Sequence, residues 1–307
     1  MTNFNDDQLG YFSTSSNFLL EAEKGIAYAK ATNDSTPLHL DGTYMPPVYG
    51  VVPAWVNVFE TMNRIVPPEH FFSVVHGEQD MIWHKALKSG ITLSSKARAE
   101  SISVKDSGTT LVIKAESVDA ENEELVLEQY FTFFFRGVHG GDYENNAIGE
   151  LHLTDLDDPE YKADFKATVE GDSPETLIYS ASTKMDLDQT YRYADASGDR
   201  MPIHIDEDFA KSVGLDGIII HGLCTMANVS SVLIAGHCEG DPTRLARMSL
   251  RFASPLRPGD EILTSLYHSG QHLPQTISAG GKSHYFNTVR LSDNRDILTN
   301  GLAYIRV

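Results

Sequence analysis

The chain has 307 residues, 41% of them hydrophobic and 22% charged, with a formal net charge of −19; this length suits two domains of about 150 residues each. Such acidity argues against nucleic-acid binding, which draws on clustered Lys and Arg, and against a generic binder of anionic membranes, while no apolar run nears the ~18–20 residues of a bilayer span. Its two cysteines, Cys224 and Cys238, are too few for a disulfide framework or a multi-cysteine metal site; with no basic region leading into an apolar stretch at the N-terminus, the expectation is a cytoplasmic protein.

The first informative stretch is "TNDSTPLHLD" (32–41), where Asp34 and His39 flank Pro37. Next comes "PPVYGVVPAWVNVFETMNRIV" (46–66), a predicted helix entered at Pro46 and Pro47. Pro53 is unfavourable deep in a helix, so the regular part is placed to begin near it. Three strand-like runs follow at 91–104, 109–120 and 125–136, joined by the turn-like "KDSG" and "ENEE". Residues 138–175 are rich in Gly, Asp, Glu and Asn, lack sustained periodicity, and read as a linker or long loop. Then "SGDRMPIHID" (197–206) repeats the earlier pattern, with Asp199 and His204 around Pro202. A short helix should run from an Asp206 N-cap to a stop at Gly214. "IIIHGLCTMANVSSVLIAG" (218–236) is apolar for about five turns and carries small residues, which predicts a buried central helix. Strand-like runs close the chain at 247–256, 260–269, 283–292 and 298–307.

Both halves thus hold an Asp/His loop, an apolar helix and a set of antiparallel-looking strands, which argues for duplication. At this point a family resemblance enters. "YADASGDRMPIHIDEDFAKSVGLDGIIIHGLCTMA" (193–227) is similar to the signature of MaoC-like, (R)-specific enoyl-CoA hydratases and 3-hydroxyacyl thioester dehydratases. The matching positions are Gly198, Asp199, Pro202, His204 and Asp206, then His221-Gly222. "RFASPLRPGD" (251–260) resembles the strand and turn that follow the helix in that family, and the first half resembles the N-terminal domain of its double hot-dog members. The resemblance implies an α+β double hot-dog, two long central helices each wrapped by an antiparallel sheet, with the two sheets joined. It places a degenerate domain at 1–137, a linker at 138–175 and a catalytic domain at 176–307. It also implies reversible hydration of trans-2-enoyl-CoA, an acyl-CoA partner, no cofactor, no metal, and room for a homodimer. Two positions depart from the pattern. The family's Asn after the aspartate is Met201 here and Thr36 in the first half, and the first half has Tyr49-Gly50 where the second has His221-Gly222.

The chemistry that such a site needs can be matched to residue types. Adding water across a double bond conjugated to a thioester requires an acid/base pair at the water and donors at the developing oxyanion. Asp199 and His204 are the candidate pair, treated as coupled groups. Gly222, opening a helix with unpaired N–H groups and a favourable dipole, is the candidate oxyanion donor. His221 and Met201 are expected beside the substrate, although packing or bracing suits His221 equally. A lone Asp before a helix is more often a cap and a lone His more often structural; the ordered signature is what raises both. Asp34 and His39 form a second site or a relic, and the loss of the His221 counterpart favours the relic. For coenzyme A phosphates, Arg244, Arg247, Arg251, Arg257, Lys85 and Lys88 stand at suitable positions, each more simply read as surface charge. His204 and Asp206 offer only half of a metal site, and there is no Gly-x-Ser-x-Gly elbow. Two other readings remain at this level: a hot-dog acyl-CoA thioesterase using a carboxylate-activated water, and a non-catalytic acyl-thioester-binding partner subunit.

Overall fold

The computed structural model describes residues 3–141, 145–148, 158–171, 176–268 and 280–307. Its first half runs β1 (Ser16–Leu19), α1 (Ala22–Ala31), the single turn α2 (Pro37–Leu40), the central helix α3 (Val51–Ile65), then β2 (Val74–Trp83), β3 (Thr92–Lys105), β4 (Gly108–Asp119) and β5 (Leu125–Arg136). After β6 (Asn145–Ala147) and α4 (Pro159–Val169), the second half repeats the order: β7 (Leu177–Lys184), α5 (Gln189–Ser197), the turn α6 (Pro202–Ile205), an added α7 (Glu207–Ser212), the central helix α8 (Gly222–His237), then β8 (Leu245–Phe252), β9 (Glu261–His268), β10 (Gly281–Arg290) and β11 (Arg295–Arg306). Among the described residues, no helix is long and apolar enough to cross a membrane.

The strands form one sheet in the order β1-β3-β4-β5-β2-β8-β11-β10-β9-β7, with β6 beside β3. Read outward from the β2–β8 seam, each half has the same plan, as a duplicated hot-dog requires. Alternation in the sequence sets the faces: buried and half-buried residues alternate along β3 and β4. The inner face is covered by α3, whose Val51, Ala54, Val58, Met62 and Ile65 recur at helical spacing and are all buried. Each larger side chain among them contributes about 1.5–3 kcal/mol by leaving water. Helix α8 is buried almost all round, with Leu223, Met226, Val229, Leu233 and Ile234 in one core shared with Tyr28 and Tyr49 of the first half.

Most expected elements are present, with informative shifts. The predicted strands at 91–104, 109–120 and 125–136 fall on β3 to β5, and the later four on β8 to β11, residue 269 lying outside the described residues. In the first central helix a 3-10 turn, Pro47–Gly50, precedes α3, and Pro53 stands in the first helical turn, where its missing N–H has no partner to lose. Parts of the expected linker, 142–144, 149–157 and 172–175, lie outside the described residues. Its remainder is not all loop. Asp158 caps α4 by accepting from the Glu160 N–H at 2.7 Å, and Tyr161 and Phe165, one turn apart, pack on Tyr285 and Leu302. The second central helix begins at Gly222 rather than 218, because Ile219 and Ile220 use their N–H groups on the Ile203 and Leu256 carbonyls at 3.2 and 2.7 Å.

Ion pairs lock the seam. The register sets Glu78 opposite Arg251 and Ile82 opposite Arg247. The Arg247 guanidinium donates to both Asp80 oxygens, at 3.0 and 2.7 Å, with the two side chains 3% and 0% exposed. Arg251 donates to Glu78 at 2.7 Å. A buried ion pair adds modest net stability, but removing one partner strands the other charge. Arg247→Met should therefore destabilise the fold by about 3–5 kcal/mol in urea denaturation, and adding Asp80→Leu should recover much of that loss. A single variant as stable as wild type would contradict the seam's role.

Candidate active site

The same loop is built twice. At the end of α1 the Thr32 hydroxyl donates to the Tyr28 carbonyl at 3.0 Å, and at the end of α5 the Ser197 hydroxyl donates to the Tyr193 carbonyl at 2.7 Å. Each chain then turns through a left-handed residue, Asn33 (φ 52°) or Gly198 (φ 79°), residue types that tolerate this region. An aspartate follows and holds the turn: Asp34 accepts from the Thr36 N–H at 2.8 Å, and Asp199 from the Met201 N–H at 3.2 Å. Pro37 and Pro202 open the single turns α2 and α6, which carry His39 and His204.

From this shared frame the copies diverge. In the first half His39 Nδ1 bonds Asp34 at 2.6 Å, with His39 0% and Asp34 4% exposed. In the second half His204 Nδ1 instead meets the Ile219 carbonyl at 2.8 Å. The added α7 makes the difference. Asp206 caps it, accepting from the Phe209 N–H at 2.9 Å as the sequence suggests, and Gly214 (φ 89°) follows its end. The segment that follows bonds back to α6 through the Ile219 N–H and sets the Ile219 carbonyl beside His204. A carbonyl only accepts, so Nδ1 carries the proton and Nε2 keeps its lone pair. Asp199, no longer held by the histidine, is half-buried. Burial lowers the His204 pKa below the usual 6.5, opposed by the Asp199 charge. Burial, then the neighbouring His204, pushes His221 down to about 2.

His221 lies behind the loop. It is 1% exposed, donates Nε2–H to the Asp199 backbone carbonyl at 3.0 Å, and stacks on His204 with ring centroids 3.7 Å apart. Tyr193 packs on its other side at 4.7 Å and meets Tyr28 hydroxyl to hydroxyl at 3.1 Å. These tyrosines occupy the same place in the two copies, so the pair marks the pseudo-symmetry axis. Sequence reasoning passed over them, although "Tyr-Ala" precedes both Asp/His loops. Gly222 opens α8, whose N-cap, His221, makes no side-chain capping bond. A Cβ at Gly222 would lie 2.9 Å from the Phe252 ring, so a larger residue would disturb the helix entry.

Asp199, His204 and His221 have metal-capable atoms within 4.8 Å of one another. The two rings are stacked, and each gives one N–H to a backbone carbonyl. In this arrangement each neutral ring keeps one nitrogen lone pair beside the Asp199 carboxylate, a donor set that can accept a proton.

Asp199 and Met201 line a cleft of about 480 Å³ whose opposite wall is Phe18, Trp55, Val56 and Phe59 of the first half. Met201, 40% exposed, contributes an apolar wall where the resemblance anticipates an amide. Of the cations considered for coenzyme A, Arg247 and Arg251 are held in the seam, Arg244 donates to the Arg306 carbonyl at 3.0 Å, and Lys85 and Arg257 pair with Glu124 and Asp216.

Comparison with known proteins adds a lineage to this geometry. A family model described as MaoC like domain matches residues 168–284, and one described as MFE-2 hydratase 2 N-terminal domain matches 40–137. A "Probable enoyl-CoA hydratase 2" of Dictyostelium discoideum is 26% identical over 235 residues, 76% of this chain and 70% of that protein. The "Peroxisomal multifunctional enzyme type 2" of Mus musculus is 27% identical over 229 residues, 74% of this chain but only 29% of the longer mouse protein. A crystal structure of a MaoC-like dehydratase from Phytophthora capsici aligns over 99% of both chains, with a TM-score of 0.76 at 22% identity. The chain thus carries, in tandem on one mirrored sheet, an MFE-2 hydratase 2 N-terminal domain in its first half and a MaoC-like domain in its second, the arrangement of a double hot-dog.

Proposed function

We propose that the chain is a hydro-lyase that reversibly adds water to trans-2-enoyl-CoA to give (R)-3-hydroxyacyl-CoA. One observation carries the proposal: His204 is held as a neutral base on the Ile219 carbonyl, next to an aspartate on an apolar cleft. A water between His204 Nε2 and the Asp199 carboxylate is oriented by both. As its oxygen attacks C3, the pair takes up its proton and returns one to C2, leaving a hydroxyl on C3 and a hydrogen on C2. Charge that flows to the thioester oxygen is met by the Gly222 N–H at the uncapped start of α8. His221 holds the Asp199 loop from behind, and Met201 with the first-half aromatic residues receives the acyl chain. Asp34 and His39 are a relic: the carboxylate is already bonded to its histidine and the pair is closed off from solvent.

The proposed division is a degenerate domain at 1–137, a connecting segment at 138–175 and a catalytic domain at 176–307. A reducing, cytoplasmic setting agrees with two buried free thiols, Cys224 and Cys238.

Asp199→Asn and His204→Gln should each lower enoyl-CoA hydration by about 10²–10⁴-fold while circular dichroism stays native, and Asp34→Asn should leave turnover close to wild type. Near-normal hydration by either second-half variant would overturn the assignment. The pH profile gives a separate test. The base works unprotonated, so kcat/KM should hold at neutral pH and fall only as pH drops through the depressed His204 pKa, below 6.5. An acid limb centred above 6.5 would contradict a buried neutral base.

A further inference from the structure

The inner face of the seam carries polar atoms that the water-adding chemistry leaves unused. In β2, His76 and Gln79 are three residues apart, a spacing that would place them on opposite faces of a regular strand. A bulge between His76 and Glu78 changes that: His76 pairs with Phe133 and Gln79 with Phe131, two residues of one face of β5. Bulges near binding sites commonly re-aim a side chain in this way. The face is the one covered by α3, since Trp55 packs on Phe131 at 5.6 Å.

Packed aromatic rings join this point to the cleft wall on one side and to the entry of α8 on the other. His76 lies 5.9 Å from Phe131, 5.2 Å from Phe133 and 5.0 Å from Phe252 between ring centroids. Phe131 leads to Trp55 on the cleft wall, and Phe252 is the ring beside Gly222. Within this apolar lining, His76 Nε2 and both amide atoms of Gln79 are buried without a well-formed hydrogen bond, the two side chains lying close enough to interact only with each other, and Gln79 is 0% exposed. Buried polar atoms are normally paired, so unmet ones in a native core ask for a missing partner. Burial holds the His76 pKa down at about 4, so at neutral pH both side chains offer uncharged donors and acceptors.

Resting on the hydratase reading, we propose that His76 and Gln79 form a polar recognition point in the acyl path, selecting acyl-CoA substrates whose chain bears a neutral oxygen function, a hydroxyl or ketone, beyond the reacting carbons. An unsubstituted chain leaves the histidine and amide with only each other, and an oxygenated chain gives them a further partner. These are specificity residues and take no part in proton transfer.

The experiment uses enoyl-CoA thioesters of one chain length, unsubstituted or carrying a single hydroxyl or ketone at successive carbons. For the wild-type chain, at least one oxygenated member should exceed the unsubstituted one in kcat/KM by about tenfold or more. In His76→Phe, which keeps an aromatic ring, and in Gln79→Leu, that ratio should fall to near one. A wild-type preference for the plain chain, or a ratio that both variants retain, overturns the proposal. If the wild type hydrates none of the series, the hydratase reading fails instead. The same selectivity is then read from equilibrium binding of saturated acyl-CoAs with and without the oxygen, where equal affinities would refute the recognition point by itself.

Discussion

The hydrogen bond from His204 Nδ1 to the Ile219 carbonyl is the contact on which the candidate site depends. It fixes the tautomer, keeps Nε2 bare and releases Asp199 from the histidine. Nothing in the Asp/His loop itself produces it. The first copy has the same left-handed turn, the same aspartate-held N–H and the same proline-started turn, yet its histidine bonds its own aspartate. The second copy differs in what stands beside the ring: α7 and the segment that leads from it to His221. A capped helix of 6 residues thus accompanies the difference between an open Asp/His pair and a closed one.

This division of labour follows from how the halves are joined. The mirrored sheet, the ion pairs across β2 and β8, and the Tyr28–Tyr193 contact bind the copies into one core. Once the halves cannot separate, one loop can close without loss of fold, while its half supplies walls to the other. Phe18, Trp55, Val56 and Phe59 are first-half residues that share the cleft with Asp199 and Met201 of the second half. Its sheet also supplies His76 and Gln79, turned to one face by a bulge at the seam. Hydrophobic burial holds such a core without regard to direction; the hydrogen bonds and ion pairs decide where each polar atom points.

What the sequence made legible, and what it hid, has a physical pattern. β5 coincides with its predicted run, Asp206 caps α7, and α3 begins near Pro53, which stands in its first turn, because these depend on local periodicity and capping chemistry. The repeated Asp/His loop and the joined double hot-dog were also visible, through an ordered motif. The start of α8 was misplaced because the apolar run "III" carries no mark that its backbone bonds to α6 and to Leu256. That same backbone supplies the Ile219 carbonyl, and a main-chain acceptor has no residue type to betray it. α4 was hidden in an acidic stretch although Asp158, Pro159 and the Tyr161–Phe165 spacing announce it. Arg247 and Arg251 looked like surface cations since only the seam's register reveals their carboxylates. His76 and Gln79 escaped notice because a bulge cannot be read from a strand's composition.

The central claim is that duplication has left one open site and one closed site in each chain. Calorimetric titration with a non-hydratable acyl-CoA analogue measures this directly. The account predicts saturation at one molecule per chain, lost when the second-half cleft is blocked by Met201→Trp and kept in His39→Phe. Saturation at two molecules per chain, or loss of binding in His39→Phe with a native fold, would contradict it.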